Sequence, residues 1–160
     1  MSNNFRKNVG IIIINKDKKV LIAKRSFKNI KNNNDFWQFP QGGIKSNEQP
    51  IDALYREIKE ELNLDKNQFE ILGQTSNWLY YKKEITKNNK TYDGQKQKWF
   101  LVKLINNNIE QIKIHLKKPN QELEQIKFVS YWFPINCVID FKKPIYNKVL
   151  KSFIDIYNIV

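Results

Sequence analysis

Gly42-Gly43-Ile44-Lys45-Ser46-Asn47-Glu48, followed by Arg56-Glu57-Ile58-Lys59-Glu60-Glu61-Leu62-Asn63-Leu64, is the stretch that organises this chain. Its second half reads as helix. At 3.6 residues per turn, Glu57 faces Glu60 and Glu61 one turn on. Three carboxylates on one arc repel, each pair costing roughly 0.2–0.5 kcal/mol. They also fall in the last turns of the helix, where the macrodipole disfavours anions. A hard divalent cation with oxygen ligands offsets that repulsion. A Glu-rich helix is usually just a solvated face. Here Gly, Glu and Arg-Glu stand at set spacings along the whole segment, which is far more specific than a lone short motif.

The helix has clear start signals. Pro50 suits the first helical position, with Gln49 or Asn47 near the cap. Ile51, Leu54, Ile58 and Leu62 form a stripe for burial. Glu57, Glu60 and Glu61 lie on the arc beside that stripe, and Arg56 lies across from it. The helix is expected to pack on a sheet and hold its carboxylates at the edge of a cleft. Gly42-Gly43 reads as a turn of unusual backbone angles that also lets the backbone approach a metal or phosphates.

Working outward, Val9 to Ile14 reads as a buried strand and Val20 to Ala23 as a second one after the polar turn Asn15-Lys16-Asp17-Lys18. Residues 28–35, rich in Asn and Lys, read as an exposed loop. Phe36 to Pro40 is a short aromatic segment. Residues 69–72, 78–81, 99–105 and 127–132 read as further strands, and 82–98 as a basic loop. Pro144 opens a final helix with an apolar face at Ile145, Val149, Leu150, Phe153, Ile156 and Tyr157. Strands interleaved with two helices predict an α/β fold, a mixed sheet between helices.

The 160 residues fit one domain with a real core. No apolar run approaches the ~20 residues needed to span a bilayer. Met1-Ser2-Asn3-Asn4-Phe5-Arg6-Lys7 lacks a hydrophobic signal region, so no secretory leader is expected. The single cysteine, Cys137, excludes an internal disulfide. These features fit a cytoplasmic protein in a reducing compartment. The net charge of +12 permits a polyanionic partner such as nucleic acid or nucleotide. A chain this rich in Lys, Asn and Ile also carries many lysines as plain solvated surface, so the charge alone does not establish RNA binding.

Phosphoanhydride hydrolysis needs the phosphates positioned, their charge neutralised and a water aligned. Metal ions bridging carboxylates and phosphate oxygens do all three. A carboxylate not consumed as a ligand takes the proton from the attacking water. Arg56 sits inside the acidic cluster and either holds a glutamate in place or forms a plain surface ion pair. Glu48 is suited to fix the turn before the helix through a backbone hydrogen bond.

These residues resemble the box of the Nudix hydrolases, Gly-x5-Glu-x7-Arg-Glu-U-x-Glu-Glu-x-Gly-U, where U is a bulky aliphatic residue. Gly42, Glu48, Arg56, Glu57, Ile58, Glu60, Glu61 and Leu64 match, and Asn63 stands where the last Gly is expected. Asn is the next best residue for a left-handed helix cap. Arg6-Lys7-Asn8-Val9-Gly10, Trp37 to Gly43, Asn77-Trp78-Leu79, Gly94 to Phe100 and Val129 to Pro134 resemble the bacterial RNA pyrophosphohydrolases within that family. The resemblance implies a single Nudix domain over residues 1–160 with its box at 42–64, built as an α/β/α sandwich on a mixed sheet. It implies removal of pyrophosphate from 5′-triphosphorylated RNA, or of phosphate from 5′-diphosphorylated RNA, as a step in mRNA degradation. It also implies Mg²⁺ or Mn²⁺. Glu57, Glu60 and Glu61 are expected as metal ligands, with Glu57 also a candidate base and Gly42 at the metal. Glu122, ten residues before Trp132, matches a further acidic position, with Glu124 as a rival. Arg6, Arg25, Gln41 and Lys142 match phosphate or base contacts. Gly43, Glu48 and Arg56 are supporting residues. The segment from Phe27 to Phe36 is longer than usual.

His115 and Cys137 have no companions for a metal site or nucleophilic catalysis. Trp37, Trp78, Trp99 and Trp132 suit base stacking, but aromatics at strand positions are more often core. Two other functions remain open: a hydrolase of dinucleoside polyphosphates or free nucleotides using the same site, and an inactive RNA-binding module. No membrane and no stable protein partner is expected.

Overall fold

The structure, a computed structural model, describes residues 4–26, 37–106 and 108–160. The exposed loop expected at 28–35, Phe36 and the long segment from Phe27 lie outside the described residues.

The run Phe5–Ile14 forms β1, and its last seven residues are all buried because both faces are covered. Val9, Ile11 and Ile13 enter one core, while Ile12 and Ile14 enter the other. Val20–Arg25 (β2), Trp37–Gln38 (β3) and Gln41–Gly43 (β4) follow. Helix α1 spans Pro50–Leu62, then come β5 (Phe69–Gln74), β6 (Leu79–Lys87) and β7 (Lys90–Leu104). Ile109–Leu116 is α2, Leu123–Val129 is β8, Pro134–Cys137 is the short α3 and Lys143–Ile159 is α4. Among the described residues the eight strands make one sheet, with backbone order β3-β2-β1-β7-β5, β4 on β1, β6 on β7 and β8 on β2. Only the β1–β7 pair is parallel, so the sheet is mixed as expected.

Helices cover both faces. Ala53, Leu54, Ile58 and Leu62 of α1 and Ile112 of α2 pack with Val9, Ile11, Phe100 and Val102. Ile145, Tyr146, Val149, Leu150 and Phe153 of α4 pack with Ile12, Ile14, Trp99 and Leu101. The result is the α/β/α sandwich.

Three expectations are corrected. Residues 82–98 are a hairpin rather than a loop, its two-residue turn made by Asn88 and Asn89 at φ 52 and 64. Positive φ at both central residues gives the turn whose twist matches the strands, and Asn tolerates it. Ile51 is 41% exposed, and the buried stripe of α1 runs instead through Ala53, Leu54, Glu57, Ile58 and Leu62. The expected strand at 127–132 begins earlier and ends at Val129, leaving Trp132 exposed. Helix α2 was not anticipated. No helix among the described residues is long and apolar enough to cross a membrane.

Asn63 ends α1 in the left-handed region at φ 59, ψ 38, its N–H bonded to the Lys59 carbonyl. A β-branched residue pays a steric penalty there that Asn and Gly avoid. Asn63→Val is expected to lower stability by about 1–2 kcal/mol in urea unfolding, while Asn63→Gly retains wild-type stability.

Candidate active site

Arg56 is the hub of the site. Its Nε donates to Glu48 Oε2 at 2.8 Å and its Nη2 to Glu48 Oε1 at 2.9 Å, a two-pronged pair. Nη2 also donates to the Gly43 carbonyl at 2.7 Å. Nη1 donates to Glu57 Oε1 at 2.8 Å and Glu60 Oε2 at 3.3 Å. Glu48 Oε1 in turn accepts the Lys45 N–H at 3.0 Å, closing the turn before the helix. The Arg56 side chain is only 21% exposed, which sets it apart from an ordinary surface ion pair.

The Gly42-Gly43 pair works by close approach. Neither glycine has positive φ, so the turn of unusual angles is corrected to a short strand. In β4 successive residues face opposite ways. A Cβ on Gly42 would collide with the Glu57 carboxyl, and one on Gly43 with the Arg6 guanidinium.

The carboxylates differ in their environments. Arg56 holds Glu48 down to about 2. Burial pushes Glu57 up, against the pull of Arg56. Glu61 is pushed up to about 8, first by burial, then by the charges of Glu122 and Glu57. The Glu61 and Glu122 carboxyls are hydrogen-bonded to each other. Glu124, the rival, lies on β8 and meets Lys24 at 4.0 Å.

Arg25, Gln38, Gln41, Glu61 and Glu122 line one small cavity of about 20 Å³, room for roughly one water-sized guest. Lys142 is 4% exposed, and its Nζ donates to Gln38 Oε1 at 2.7 Å, so it reaches the cavity through Gln38 rather than directly. Arg6 lies over Gly43, facing a separate open cleft with Arg56 and Glu57.

Among the described residues, no three His, Cys, Asp or Glu side chains stand as a group ready to hold a metal ion. Arg56 occupies oxygens of Glu57 and Glu60, and Glu61 is engaged with Glu122. The donor set itself is right for a hard divalent cation: carboxylate oxygens only, two of them on side chains that burial leaves poorly solvated.

Sequence reasoning missed several supporting groups. Gln97 Nε2 donates to Asn8 Oδ1 at 2.7 Å and Gln41 Oε1 at 3.3 Å, and Gln97 Oε1 accepts from Trp99 Nε1 at 3.1 Å. This buried amide chain orients Gln41. Asn8 and Gln97 lie in stretches that carried the family resemblance, and polar residues inside an apolar strand were the available signal. His115 Nε2 lies 2.8 Å from the Glu60 carbonyl at the end of α1.

An acidic helix end clamped by an arginine over a glycine strand, on an α/β/α frame, defines a class of phosphoanhydride chemistry seen in a known family. The chain matches the NUDIX domain over residues 4–153. It is 40% identical to an RNA pyrophosphohydrolase of Saccharophagus degradans, covering 98% of this chain and 90% of that protein. It is 43% identical to an RNA pyrophosphohydrolase of Pseudomonas putida, covering 94% of this chain and 92% of that protein. A C. elegans Ap4A hydrolase binary complex superposes with TM-score 0.61 at 22% identity, covering 94% and 98% of the two chains. An E. coli dihydroneopterin triphosphate pyrophosphohydrolase superposes with TM-score 0.64 at 17% identity, covering 95% and 99%. These two structures share the fold. The protein belongs to the Nudix family.

Two outcomes are expected. Because the folded-state value of Glu61 is raised, its contribution to stability is fully present below the ordinary glutamate range and is lost as pH rises toward about 8. In chelator-treated protein the wild type should therefore lose melting temperature relative to Glu61→Gln between about pH 4.5 and pH 8. Arg56→Lys, which keeps the charge but not the fork, should cost about 2 kcal/mol in urea unfolding.

Proposed function

We propose that this protein is an RNA 5′ pyrophosphohydrolase of the cytoplasm. It removes pyrophosphate from 5′-triphosphorylated RNA, or phosphate from 5′-diphosphorylated RNA, leaving a 5′-monophosphate that ribonucleases attack more readily in mRNA degradation. The observation that carries the reading is near-full-length identity of 40–43% to proteins named for this activity, with the Nudix box present but for Asn63 in place of its last Gly.

Glu57, Glu60, Glu61 and Glu122 are the proposed ligands of Mg²⁺ or Mn²⁺, with Gly42 beneath them. When bound, the ion neutralises phosphate charge and orients the attacking water. Arg56 fixes the rotamers of Glu57 and Glu60 from the side away from the core. Glu57 is the proposed base, through whichever of its carboxylate oxygens is not taken up as a ligand. Its carboxyl is buried and its proton affinity is raised, as a base working near neutral pH requires. Water oxygen bonds to phosphorus, the anhydride bond breaks, the water proton passes to the carboxylate and pyrophosphate leaves. Arg6, Arg25 and Gln41 are proposed to grip the oligophosphate or the first bases. Lys142 supports Gln38 from beneath.

Purified protein with Mg²⁺ or Mn²⁺ should release pyrophosphate from triphosphorylated RNA, and chelator should stop it. Glu57→Gln should lower kcat by about 10²–10⁴-fold. Glu60→Gln and Glu61→Gln should also impair turnover without unfolding the chain. Wild-type rates in the last two variants would overturn the assignment of the site. A clear preference for a dinucleoside tetraphosphate over RNA would instead assign the same site to the small molecule. RNA binding without turnover would indicate the inactive module.

A further inference from the structure

Strand pairing leaves an open platform on the sheet face that α1 covers further along. In the parallel β1–β7 pair Phe5 lies beside Gly94, Lys7 beside Lys96 and Val9 beside Lys98. Tyr80 of β6 lies opposite Lys96, so it shares that face. Val9 on the same face packs with Leu54 and Ile58 of α1, which marks the point where the helix layer ends.

The ammonium groups of Lys7, Lys96 and Lys98 stand 5.9, 5.2 and 5.3 Å from the centroid of one indole, Trp78. Phe5 and Tyr80 meet edge to face with centroids 5.2 Å apart, and Tyr80 is 54% exposed. Lys98 also donates to the Ser76 carbonyl at 2.5 Å. Among the described residues none of the three lysines is paired with a carboxylate. Three cations gathered round one ring repel, and the ring face offsets only part of that. Anions placed among them complete the balance.

The platform adjoins the active site. Lys98, Val9 and Gly42 lie in one row across β7, β1 and β4, and Glu57 stands over Gly42. Two strand spacings put that row at about 10 Å. Phe5 and Lys7 also line the open cleft of about 680 Å³ that contains Arg56 and Glu57.

We infer that this face carries the RNA downstream of its 5′ end, with phosphodiesters on Lys7, Lys96 and Lys98 and a base stacked on Tyr80. Phosphates on lysines and bases on exposed rings are how single strands are held. An acidic peptide would answer the charge but leave the Tyr80 ring unused. The inference rests on RNA being the substrate, yet it is tested apart from hydrolysis.

The probe is a ten-nucleotide single-stranded RNA with a 5′-hydroxyl, which has no anhydride to cleave. Its affinity is read by fluorescence anisotropy over a range of salt. The triple variant Lys7→Gln, Lys96→Gln, Lys98→Gln should bind at least tenfold more weakly. The slope of log K on log salt should fall by about 2, the share of three lysines on a single strand. Tyr80→Ala should weaken binding about five- to tenfold with the slope unchanged. Circular dichroism and melting of each variant confirm the fold. On triphosphorylated RNA, the ratio of kcat/KM for the ten-nucleotide RNA over a dinucleotide should fall about tenfold in the triple variant. Wild-type affinity in the variants, absence of binding by the wild type, or tighter binding of a polyglutamate peptide than of RNA would each overturn the platform. Decamer binding that responds to the variants in a protein unable to cleave triphosphorylated RNA would uphold the platform and strike the proposed activity alone.

Discussion

The guanidinium of Arg56 is the constraint on which the site depends. It ties the end of β4, the turn before α1 and two carboxylates of α1 into one unit. The like-charge cluster on this helix calls for positive charge, and the protein supplies part of it from its own chain. Arg56 answers Glu48, Glu57 and Glu60, while burial and the charges of Glu122 and Glu57 raise the proton affinity of Glu61.

The parts of the fold that were legible in the sequence were those where one physical signal dominated. The β-branched run at Val9 to Ile14 has no alternative to a strand buried on both faces. The box spacing carried α1 to within a residue, and Asn63 announced its cap. Where signals conflicted, the reading failed. Residues 82–98 carry lysines on both sides of the strand because that hairpin extends beyond the helices, so no apolar alternation marks it. Helix α2 is eight residues long and buries only Ile112 fully, too little for a period to show. Glu122 and Glu124 have the same charge and nearly the same neighbours in sequence. Only the start of β8 at Leu123 separates them, placing Glu122 against Glu61 and Glu124 against Lys24.

The strand period explains why two adjacent glycines are needed where the motif displays only one as invariant. Alternation along Gln41-Gly42-Gly43 sends Gly42 toward α1 and its neighbours toward the other layer. Gly42 clears room for Glu57, and Gly43 clears room for Arg6. Gln41 then points into the amide chain of Gln97 and Asn8, beside the buried indole of Trp99. One short strand therefore divides its neighbours between the two sheet faces, with the α1 carboxylates above and a buried amide chain of fixed geometry below. The same alternation, continued through β1 and β7, sends Lys7, Lys96 and Lys98 to the carboxylate side and Asn8 and Gln97 to the other. The sheet thus holds buried neutral amides on one side and long-stemmed cations on the other.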